Sequence, residues 1–517
     1  MRGEALNILI GGEAGQGLVT VGQILAKSLV RSGYNIVITQ SYQSRIRGGH
    51  NTYAIRTSDK NIAASEESVD ILIALNADTV NLHKEELSPE GRIIVDEALG
   101  IDDEACINVP FSKLAKDRFT NIAALGIACS LLGLDEQVVA ETMSDYFGAK
   151  HAESEEENRQ ALKKSFEWEA EPQVSNLKLK SISNPPKRLM LNGNEAIALA
   201  AMSAGVKFCS FYPMTPATSV VLNLAAQAER LGLIVEQAED EISAINMVIG
   251  ASFAGAPSMV STSGGGFALM TEGVSLAAMT ETPMVIVVAQ RPGPATGLPT
   301  RTEQADLDFV LYAGHGEFPR AIFAPGTIEE CFHLTRKAFD LAERYQGPIF
   351  LLTDQFLADS YRAVTPFDIE KLPPYKRNRE PSSESSTYRR YALTDSGVST
   401  RLLPGTGKHL VVADSDEHTE DGHLTEDLSI RRLMVEKRLK KLDGMYAEVV
   451  TPEAEGDENP ELLLISWGST KGAASEAAEV LRSDGKKIAA MHFSQVWPLI
   501  PEQFMPQIEN AKEVACI

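Results

Sequence analysis

The stretch FCSFYPMTPATS, residues 208–219, carries the pattern from which the fold is predicted. It begins like a buried strand, ends like the start of a helix, and has two prolines in between. A proline fixes φ, removes a backbone donor and pushes the preceding residue out of the helical region. We therefore expect a stiff turn after a strand, where α/β proteins hold ligands. Thr215, between Pro213 and Pro216, is the candidate contact, and an ordinary turn capped by Thr215 or Thr218 is the alternative.

Apolar strands and helical runs alternate on both sides of this stretch. LNILIGG (6–12) lies upstream, and TPMVIVVAQR (282–291) and PIFLLTD (348–354) lie downstream. Such alternation predicts parallel sheets, so we expect an α/β protein with three domains. The first is predicted at 1–175 and the second at 189–365, and the third, at 459–517, is expected to be incomplete because no helix follows its last strand.

Two polar segments separate these predicted domains. Residues 176–188 contain a Pro-Pro break and predict a linker. Residues 366–458 are poor in apolar side chains over much of their length and predict a long connector. Within the connector, DSDEHTEDGH (414–423) has two histidines among carboxylates, but their spacing fits no standard metal set. We expect a solvated loop there and no metal site.

Composition excludes several classes of protein. The chain has 517 residues, of which 44% are hydrophobic and 23% charged, and its formal charge is -23. That charge disfavours binding to nucleic acid or to an anionic membrane. Five cysteines in no CxxC spacing disfavour a zinc ribbon or a self-contained iron–sulfur site and fit a reducing cytoplasm. The first residues do not resemble a signal peptide, and the longest apolar run (122–134) is too short to span a bilayer. We expect a soluble cytoplasmic protein.

A glycine turn follows the first predicted strand. GGEAGQG (11–17) places Gly12, Gly15 and Gly17 before a helix, whose first amides can bind an anion. The glycine spacing departs from the dinucleotide fingerprint, and the acidic residue expected after the second strand is missing. NAD binding is therefore disfavoured, and a phosphate-bearing ligand and a plain tight turn both remain open.

Arginines follow the second predicted strand. In SYQSRIRGGHNTYAI (41–55), Arg45 and Arg47 precede a glycine pair. Arginine beside accessible backbone suits phosphate or carboxylate binding. A solvated hairpin with surface arginines is the alternative.

Three further stretches lie where strands meet helices. EQAEDEISAINMVIGASFAGA (236–256) has acidic residues at a helix start, which suits the macrodipole. The small residues that follow would let another backbone or a cofactor approach closely. Glu241 lies at the head of that helix, where such small neighbours would hold its carboxylate in apolar surroundings. STSGGGFALM (261–270) predicts a pocket lined by backbone. Arg291, in VVAQRPGPATGLPTRTEQ (287–304), is a candidate carboxylate clamp at a strand end, with a surface salt bridge as the alternative.

Taken together, YPMTP, GGEAGQG, SRIRGGH and RPGPATGLPTRTEQAD resemble the motifs of the 2-oxoacid:ferredoxin oxidoreductases. The resemblance is to an α subunit with a γ domain fused at its N-terminus, and it covers almost the whole chain in order. It implies a γ domain, a pyrimidine-type thiamine diphosphate domain and a transketolase C-terminal-like domain, in that order, for the three predicted domains.

The resemblance also implies an activity and partners. A 2-oxo acid would be decarboxylated oxidatively to an acyl-coenzyme A and CO₂, and ferredoxin would be reduced. The fused layout and the LPTRTEQ loop favour 2-oxoglutarate, while pyruvate and branched-chain 2-oxo acids stay open. Thiamine diphosphate would be shared with a separate β subunit, in an α₂β₂ assembly, and the β subunit would carry Mg²⁺ and a [4Fe–4S] cluster.

The resemblance assigns roles to residues of this sequence. Glu241 would hydrogen-bond the aminopyrimidine ring of the cofactor and help activate it. The other positions fall into three groups: cofactor contacts at Tyr212, Pro213, Gly264 and Gly265; substrate contacts at Thr215, Arg291 and Thr300; and coenzyme A contacts at Gly12, Gly15, Gly17, Arg45 and Arg47. The alternatives are a stand-alone nucleotide-binding oxidoreductase and a non-catalytic scaffold.

Overall fold

The structure is a computed structural model that describes residues 5–43, 49–148, 152–168, 177–373 and 388–517. The chain divides into two compact units, Met1–Leu191 with Ser360–Phe367 and Asn192–Asp359 with Asp368–Ile517. The predicted α/β class is confirmed, while the domain boundaries predicted from the sequence stay predictions. In the described ranges, no helix is long and apolar enough to cross a membrane.

The first unit is built on an eight-stranded sheet. Its strands are β1 (Ala5–Glu13), β2 (Asn35–Ser41), β3 (His50–Ser58), β4 (Val69–Ala74), β5 (Leu87–Asp96), β6 (Cys106–Val109), β7 (Leu189–Leu191) and β14 (Arg362–Val364). Its helices are α1 (Leu18–Arg31), α2 (Ala77–His83), α3 (Phe111–Leu114), α4 (Thr120–Leu132), α5 (Glu136–Phe147) and α6 (Ala152–Glu167). The strand order is β6-β5-β4-β1-β3-β2-β14-β7.

This sheet is mixed rather than wholly parallel. Strands β1, β4, β5 and β6 are parallel, whereas β3 runs antiparallel to both β1 and β2. The antiparallel direction of β3 follows from the short connection that precedes it. Segment 42–49 connects β2 to β3 and is shorter than the dozen or so residues that a parallel crossover needs. Helix α4 is buried on nearly all sides, and its Gly126 packs so closely that an added Cβ would lie 2.5 Å from Ser165 Cβ.

The second unit contains a seven-stranded sheet ordered β18-β12-β13-β11-β10-β8-β9. Its strands are β8 (Phe208–Phe211), β9 (Ile234–Gln237), β10 (Ser258–Thr262), β11 (Met284–Gln290), β12 (Ala321–Phe323), β13 (Pro348–Asp354) and β18 (Gln495–Trp497). Neighbours from β9 to β12 pair in parallel, as predicted, and only β18 pairs antiparallel. Its helices are α7 (Gly193–Ser203), α8 (Thr218–Ala225), α9 (Ala228–Leu231), α10 (Glu241–Phe253), α11 (Gly264–Met279), α12 (Leu307–Tyr312), α13 (Ile328–Tyr345) and α14 (Gln355–Asp359).

A smaller sheet completes the second unit. It has the order β15-β17-β16-β19, formed by β15 (Glu453–Gly456), β16 (Leu462–Trp467), β17 (Ile488–Phe493) and β19 (Glu513–Cys516). Helices α16 (Lys471–Ser483) and α17 (Met505–Asn510) belong to it, and α15 (Leu428–Tyr446) lies in the segment predicted as a connector.

The described part of the connector is not a solvated linker. Arg390, Tyr391 and His418 are all buried, and the His418 ring lies 4.0 Å from the Tyr391 ring between centroids. Glu417 accepts hydrogen bonds from Arg431 and Arg438 of α15. The expectation of a solvated loop at 414–423 is therefore wrong for Glu417 and His418. Within the described residues, no three acidic, histidine or cysteine side chains form a group that could hold a metal.

A buried ionic cluster fastens α15 to the end of α11. Glu281 has φ 48° and no exposed surface, and its carboxylate lies 2.7 Å from Lys437 Nζ and 2.6 Å from Lys441 Nζ. Arg390 donates to the Glu281 carbonyl oxygen at 2.7 Å. Burial alone would raise the pKa of Glu281, but Lys441, Lys437 and Arg390 outweigh it and lower that pKa to about 2. Glu281 therefore stays ionised throughout the physiological range.

Replacing the Glu281 carboxylate should lower the free energy of unfolding. Glu281→Gln keeps the side-chain size but leaves buried cations without their counter-charge, so we expect unfolding to become easier by about 3–5 kcal/mol. Urea unfolding of the purified chain measures the change. Glu455→Gln, which removes an exposed partner 3.9 Å from Arg482, is the control and should cost less than about 0.5 kcal/mol. Equal stabilities for the two variants would contradict this role.

Candidate functional site

The candidate site lies at one edge of the seven-stranded sheet. Because β9, β8, β10 and β11 are parallel neighbours, the segments that leave their carboxyl ends meet there. The segment after β8 carries Thr215, and the segment after β9 leads to Glu241 at the start of α10. Gly264 begins α11 after β10, and Arg291 directly follows β11.

The YPMTP turn is braced from a neighbouring helix. Asn194 of α7 is fully buried and donates to the Pro216 carbonyl oxygen at 2.9 Å and to Ser219 Oγ at 2.6 Å. The N-cap of α8 is Ala217, and no side chain caps it. The turn is therefore not a threonine-capped helix start, and the alternative reading of this stretch is wrong. Tyr212 and Pro213 are both exposed at this edge.

Arg291 is joined to this turn. Its Nη1 donates to the Thr215 carbonyl oxygen at 2.6 Å, and only 9% of the residue is exposed. The alternative of a surface salt bridge is therefore wrong. Burial lowers the pKa of Arg291, and Asp306 acts against that shift. A guanidinium has five N–H donors, more than this bond uses, so Arg291 can also bind an oxyanion.

Glu241 is buried but does not cap the helix that it begins. Asp240 is the N-cap of α10 and accepts from the Ser243 amide at 2.7 Å, so the capping role belongs to Asp240. Glu241 is 3% exposed, and its Oε1 finds no hydrogen-bond partner in the described structure. An unpaired buried carboxylate oxygen is costly, which makes it a strong sign of a missing ligand.

The three glycines at the start of α11 have different surroundings. A Cβ at Gly266 would lie 2.5 Å from Glu241 Oε1, and one at Gly264 would lie 2.4 Å from Asp306 Oδ2. At Gly265 the nearest atom would be the Ala295 carbonyl oxygen, at 3.3 Å. Gly266 thus leaves room for the Glu241 carboxylate, and Gly264 leaves room for that of Asp306.

The loop after Arg291 is held at several points. Gly297 has φ 55°, and a Cβ there would lie 1.7 Å from the Pro292 carbonyl oxygen, so only glycine fits this turn. Gln304 Nε2 donates to the Trp467 carbonyl oxygen at 2.9 Å. Thr300 is half-buried on this loop. Among the described hydrogen bonds, none joins the Thr300 side chain to Thr215 or Arg291.

Three supporting residues were missed by sequence reasoning. Asn194 braces the turn, and Gln290 accepts from the Asp306 amide at 2.9 Å. Asp306 brings a carboxylate to the start of α11. Asp306 falls in the RTEQAD run, which identified the motif but carried no signal for this role. Asn194 and Gln290 have no sequence signal, because their partners, mostly backbone atoms, lie far along the chain.

The glycine turn of the first unit adjoins a separate cleft. Gly15 has φ 104° with open space around it, and Gly17 has φ 81° and forms the N-cap of α1 without a side-chain cap. Gln16 accepts from the Glu13 amide at 2.7 Å, and this bond closes the turn. A cleft of about 400 Å³ is lined here by residues that include Gly15, Gln16, Gly17, Asp96, Arg118 and Asn121. Arg45 and Arg47 lie outside the described residues.

Comparisons with known proteins agree with this fold and these motifs. The family described as "Pyruvate flavodoxin/ferredoxin oxidoreductase, thiamine diP-bdg" matches residues 199–437. "Pyruvate ferredoxin/flavodoxin oxidoreductase" matches residues 7–168. Both families consist of oxidoreductases, which defines the broad class of this chain.

Individual relatives narrow that class. A 2-oxoacid:ferredoxin oxidoreductase subunit alpha from Sulfolobus sp is 33% identical over 95% of this chain and 87% of its own length. The 2-oxoglutarate oxidoreductase subunit KorA of Mycobacterium tuberculosis is 28% identical over 96% of this chain and 82% of its own. This chain therefore belongs to the 2-oxoacid:ferredoxin oxidoreductases, among their alpha subunits, and the predicted resemblance is confirmed.

A solved structure supports the same assignment. It is described as "2-oxoglutarate:ferredoxin oxidoreductase from Magnetococcus marinus with 2-oxoglutarate, coenzyme A and succinyl-CoA bound". The TM-score is 0.91 at 31% identity, and the match covers 100% of this chain and 92% of that one. The roles of single site residues stay predictions.

Two glycine variants test the packing around Glu241. Gly266→Ala would push a methyl group into Thr262 and Glu241, so we expect a loss of about 1–3 kcal/mol in unfolding free energy. Gly265→Ala occupies the same helix turn with more room, and alanine favours a helix, so it should be neutral or slightly stabilising. Urea unfolding of both variants decides. Equal losses would mean that the space beside Glu241 is not tightly filled.

Proposed function

We propose that this chain works with a separate β subunit to decarboxylate a 2-oxo acid oxidatively, forming an acyl-coenzyme A and CO₂ and reducing ferredoxin. The observation that carries the proposal is the buried, unpaired Glu241 carboxylate on the same sheet edge as the Arg291–Thr215 pair. The names of the alpha-subunit relatives support the reaction class. 2-Oxoglutarate is the proposed substrate, because the KorA relative and the matched solved structure are both named for it.

The residues at this edge fit thiamine diphosphate. Glu241 offers a carboxylate oxygen with no partner in the described structure, and Gly265 in the first turn of α11 has room at its Cβ position, with the nearest atom at 3.3 Å. When bound, thiamine diphosphate supplies the nucleophilic carbon that decarboxylation of a 2-oxo acid requires. We assign Glu241 to the aminopyrimidine ring, where its carboxyl group would hold a proton and return it. Tyr212, Pro213, Gly264 and Gly265 complete the proposed cofactor contacts.

The substrate contacts follow from charge and position. Arg291 is a buried cation whose only described side-chain hydrogen bond is to a neutral carbonyl oxygen, so an anionic substrate can satisfy its other donors. Thr215 lies in the braced turn, which fixes where its hydroxyl is presented. Thr300 is the third proposed contact, on the loop that Arg291 begins. A substrate carboxylate held at Arg291 would orient the 2-oxo group toward Thr215.

An exposed apolar face supports the need for a β subunit. Ile242 and Met247 of α10 and Leu269 of α11 are 51%, 38% and 51% exposed, on neighbouring helices next to Glu241. Such patches mark protein interfaces. We propose that the β subunit covers this face, completes the cofactor site, and carries Mg²⁺ and a [4Fe–4S] cluster in an α₂β₂ assembly.

The cleft at the glycine turn is the proposed coenzyme A site. The first amides of α1 and the nearby Arg118 favour phosphate groups, and Gly15 and Gly17 let the ligand approach the backbone. Gly12 is buried against Gln16 and Leu75 and stays in this proposal on sequence grounds alone. Arg45 and Arg47 remain part of this proposal on sequence grounds alone.

The assay that tests the function is direct. The chain is tagged in its host and purified anaerobically with whatever accompanies it. Viologen reduction is then followed with 2-oxoglutarate, pyruvate and branched-chain 2-oxo acids, with and without coenzyme A. Coenzyme A-dependent reduction with 2-oxoglutarate supports the whole proposal. Reduction with pyruvate or a branched-chain acid alone overturns the substrate, and no reduction with any of them overturns the function.

Glu241→Gln should separate chemistry from folding. The amide keeps the shape but cannot exchange a proton as a carboxyl group does, so we expect kcat to fall at least about 100-fold. The melting temperature should stay within about 2 °C. Glu239→Gln, two residues earlier and exposed, is the control and should keep wild-type kcat. Retained activity in Glu241→Gln would remove Glu241 from the catalytic machinery.

Asn121→Asp tests the coenzyme A cleft. A new carboxylate among the lining residues would repel phosphate groups, so KM for coenzyme A should rise about fivefold or more. KM for the 2-oxo acid should not change. Asn121→Ala removes the same amide without adding charge and serves as the control. Coenzyme A binding lies elsewhere if both variants keep the wild-type KM.

A further inference from the structure

The proposed function assigns no role to the carboxylate of Asp306. It is the N-cap residue of α12, yet its side chain makes no capping hydrogen bond. The side chain is directed instead to the start of α11, where both carboxylate oxygens would lie within 2.5 Å of a Cβ at Gly264. Asp and Asn at an N-cap normally accept from the first amides of their own helix. The diversion of Asp306 to another helix therefore needs a separate explanation.

The backbone of Asp306 is held in place, and one of its carboxylate oxygens is buried without a partner. The Asp306 amide donates to Gln290 Oε1 at 2.9 Å, and Gln290 Nε2 donates to the Thr353 carbonyl oxygen at 3.1 Å. These bonds fix the backbone of Asp306 to the ends of β11 and β13. Its Oδ2 is buried and has no partner within the residues described. The neighbouring Ser263 Oγ is buried and unpaired in the same way.

Two charged side chains act on Asp306. Arg291 attracts it from the end of β11, and Glu303 of its own loop repels it. The elements packed against it otherwise present uncharged groups, which are Gly264 and Ser263 at the start of α11 and Gln290 on β11. Burial, with Glu303, raises the pKa of Asp306 despite Arg291. The carboxylate and the guanidinium make no ion pair within 4 Å among the described residues, so each can respond to a new charge.

We infer that Asp306 is a positioning residue for substrate binding, balancing the Arg291 charge in the empty site and taking up a proton from solvent when an anionic substrate binds there. This inference rests on the proposed function and deepens it. An anion at Arg291 adds negative charge beside Asp306, and like charges raise the affinity of a carboxylate for its proton. The substrate anion then binds Arg291 beside a neutral Asp306, and no longer competes with the negative charge of an ionised Asp306.

The inference predicts how substrate capture depends on pH. Above the pKa of Asp306 in the empty site, binding of the anion requires uptake of a proton or suffers repulsion. Wild-type kcat/KM for the 2-oxo acid should therefore fall as pH rises. Asp306→Asn is neutral at every pH, so the ratio of its kcat/KM to that of the wild type should rise at least about threefold from the lowest to the highest pH at which the enzyme is stable. The change should appear in KM, with kcat within about threefold.

The test uses the assembled enzyme and a control close to Asp306 in the sequence. Asp308→Asn removes an exposed carboxylate two residues away, and its ratio to the wild type should stay nearly constant with pH. Glu303→Gln removes the charge that repels Asp306, so it should move the fall in kcat/KM to lower pH without abolishing it. Asp306→Glu keeps a carboxylate and should keep the falling profile. Asp306→Ser, which suits an N-cap, repeats the neutral substitution if Asp306→Asn proves unstable on thermal unfolding.

The outcomes separate this inference from the function beneath it. If kcat/KM depends on pH in the same way for the wild type, Asp306→Asn and Asp306→Ser, the inference is overturned and the proposed function stands. A loss in kcat of about 100-fold with an unchanged KM profile also overturns it, because Asp306 would then act on the chemistry. A wild-type assembly that oxidises no 2-oxo acid overturns the function and the inference together.

Discussion

The parallel ladder from β9 to β13 is the constraint on which the candidate site depends. Parallel pairing sends every carboxyl end to the same edge, so residues far apart in sequence become neighbours there. Thr215 and Arg291 are joined by one hydrogen bond although they are separated by 76 positions. If any strand in this ladder ran antiparallel, its loop would leave from the opposite edge. The chemistry thus follows from strand direction first and from side chains second.

Much of this architecture was predictable because it depends on local patterns. Apolar strands, glycine turns and prolines act over a few residues, so the α/β class, the stiff turn at Thr215 and the position of an arginine at a strand end could be expected. The antiparallel course of β3 was also readable in principle, since the length of segment 42–49 limits the connection. What could not be read were contacts that depend on backbone atoms far along the chain, such as those of Asn194 and Gln290.

The connector illustrates how polarity misleads when charges are buried in pairs. Sequence reasoning treats a run such as DSDEHTEDGH as solvated because charged groups alone avoid burial. Here Glu417 is satisfied by two arginines of α15, and Glu281 is surrounded by cations from α15 and Arg390. Pairing across elements depends on tertiary structure, so composition does not reveal it. The described part of the connector that carries these residues therefore belongs to the second unit.

The unpaired buried atoms at Glu241, Ser263 and Asp306 link folding to assembly. Each is a polar group removed from water without an internal partner in the described chain, and each lowers the stability of that chain. A ligand or partner that satisfies them binds only the folded form and stabilises it by mass action. In a cell that makes more of this chain than of its partners, the unassembled copies would then unfold more often than the assembled ones. Proteases would remove that excess, so subunit balance could be maintained by turnover without a dedicated regulator.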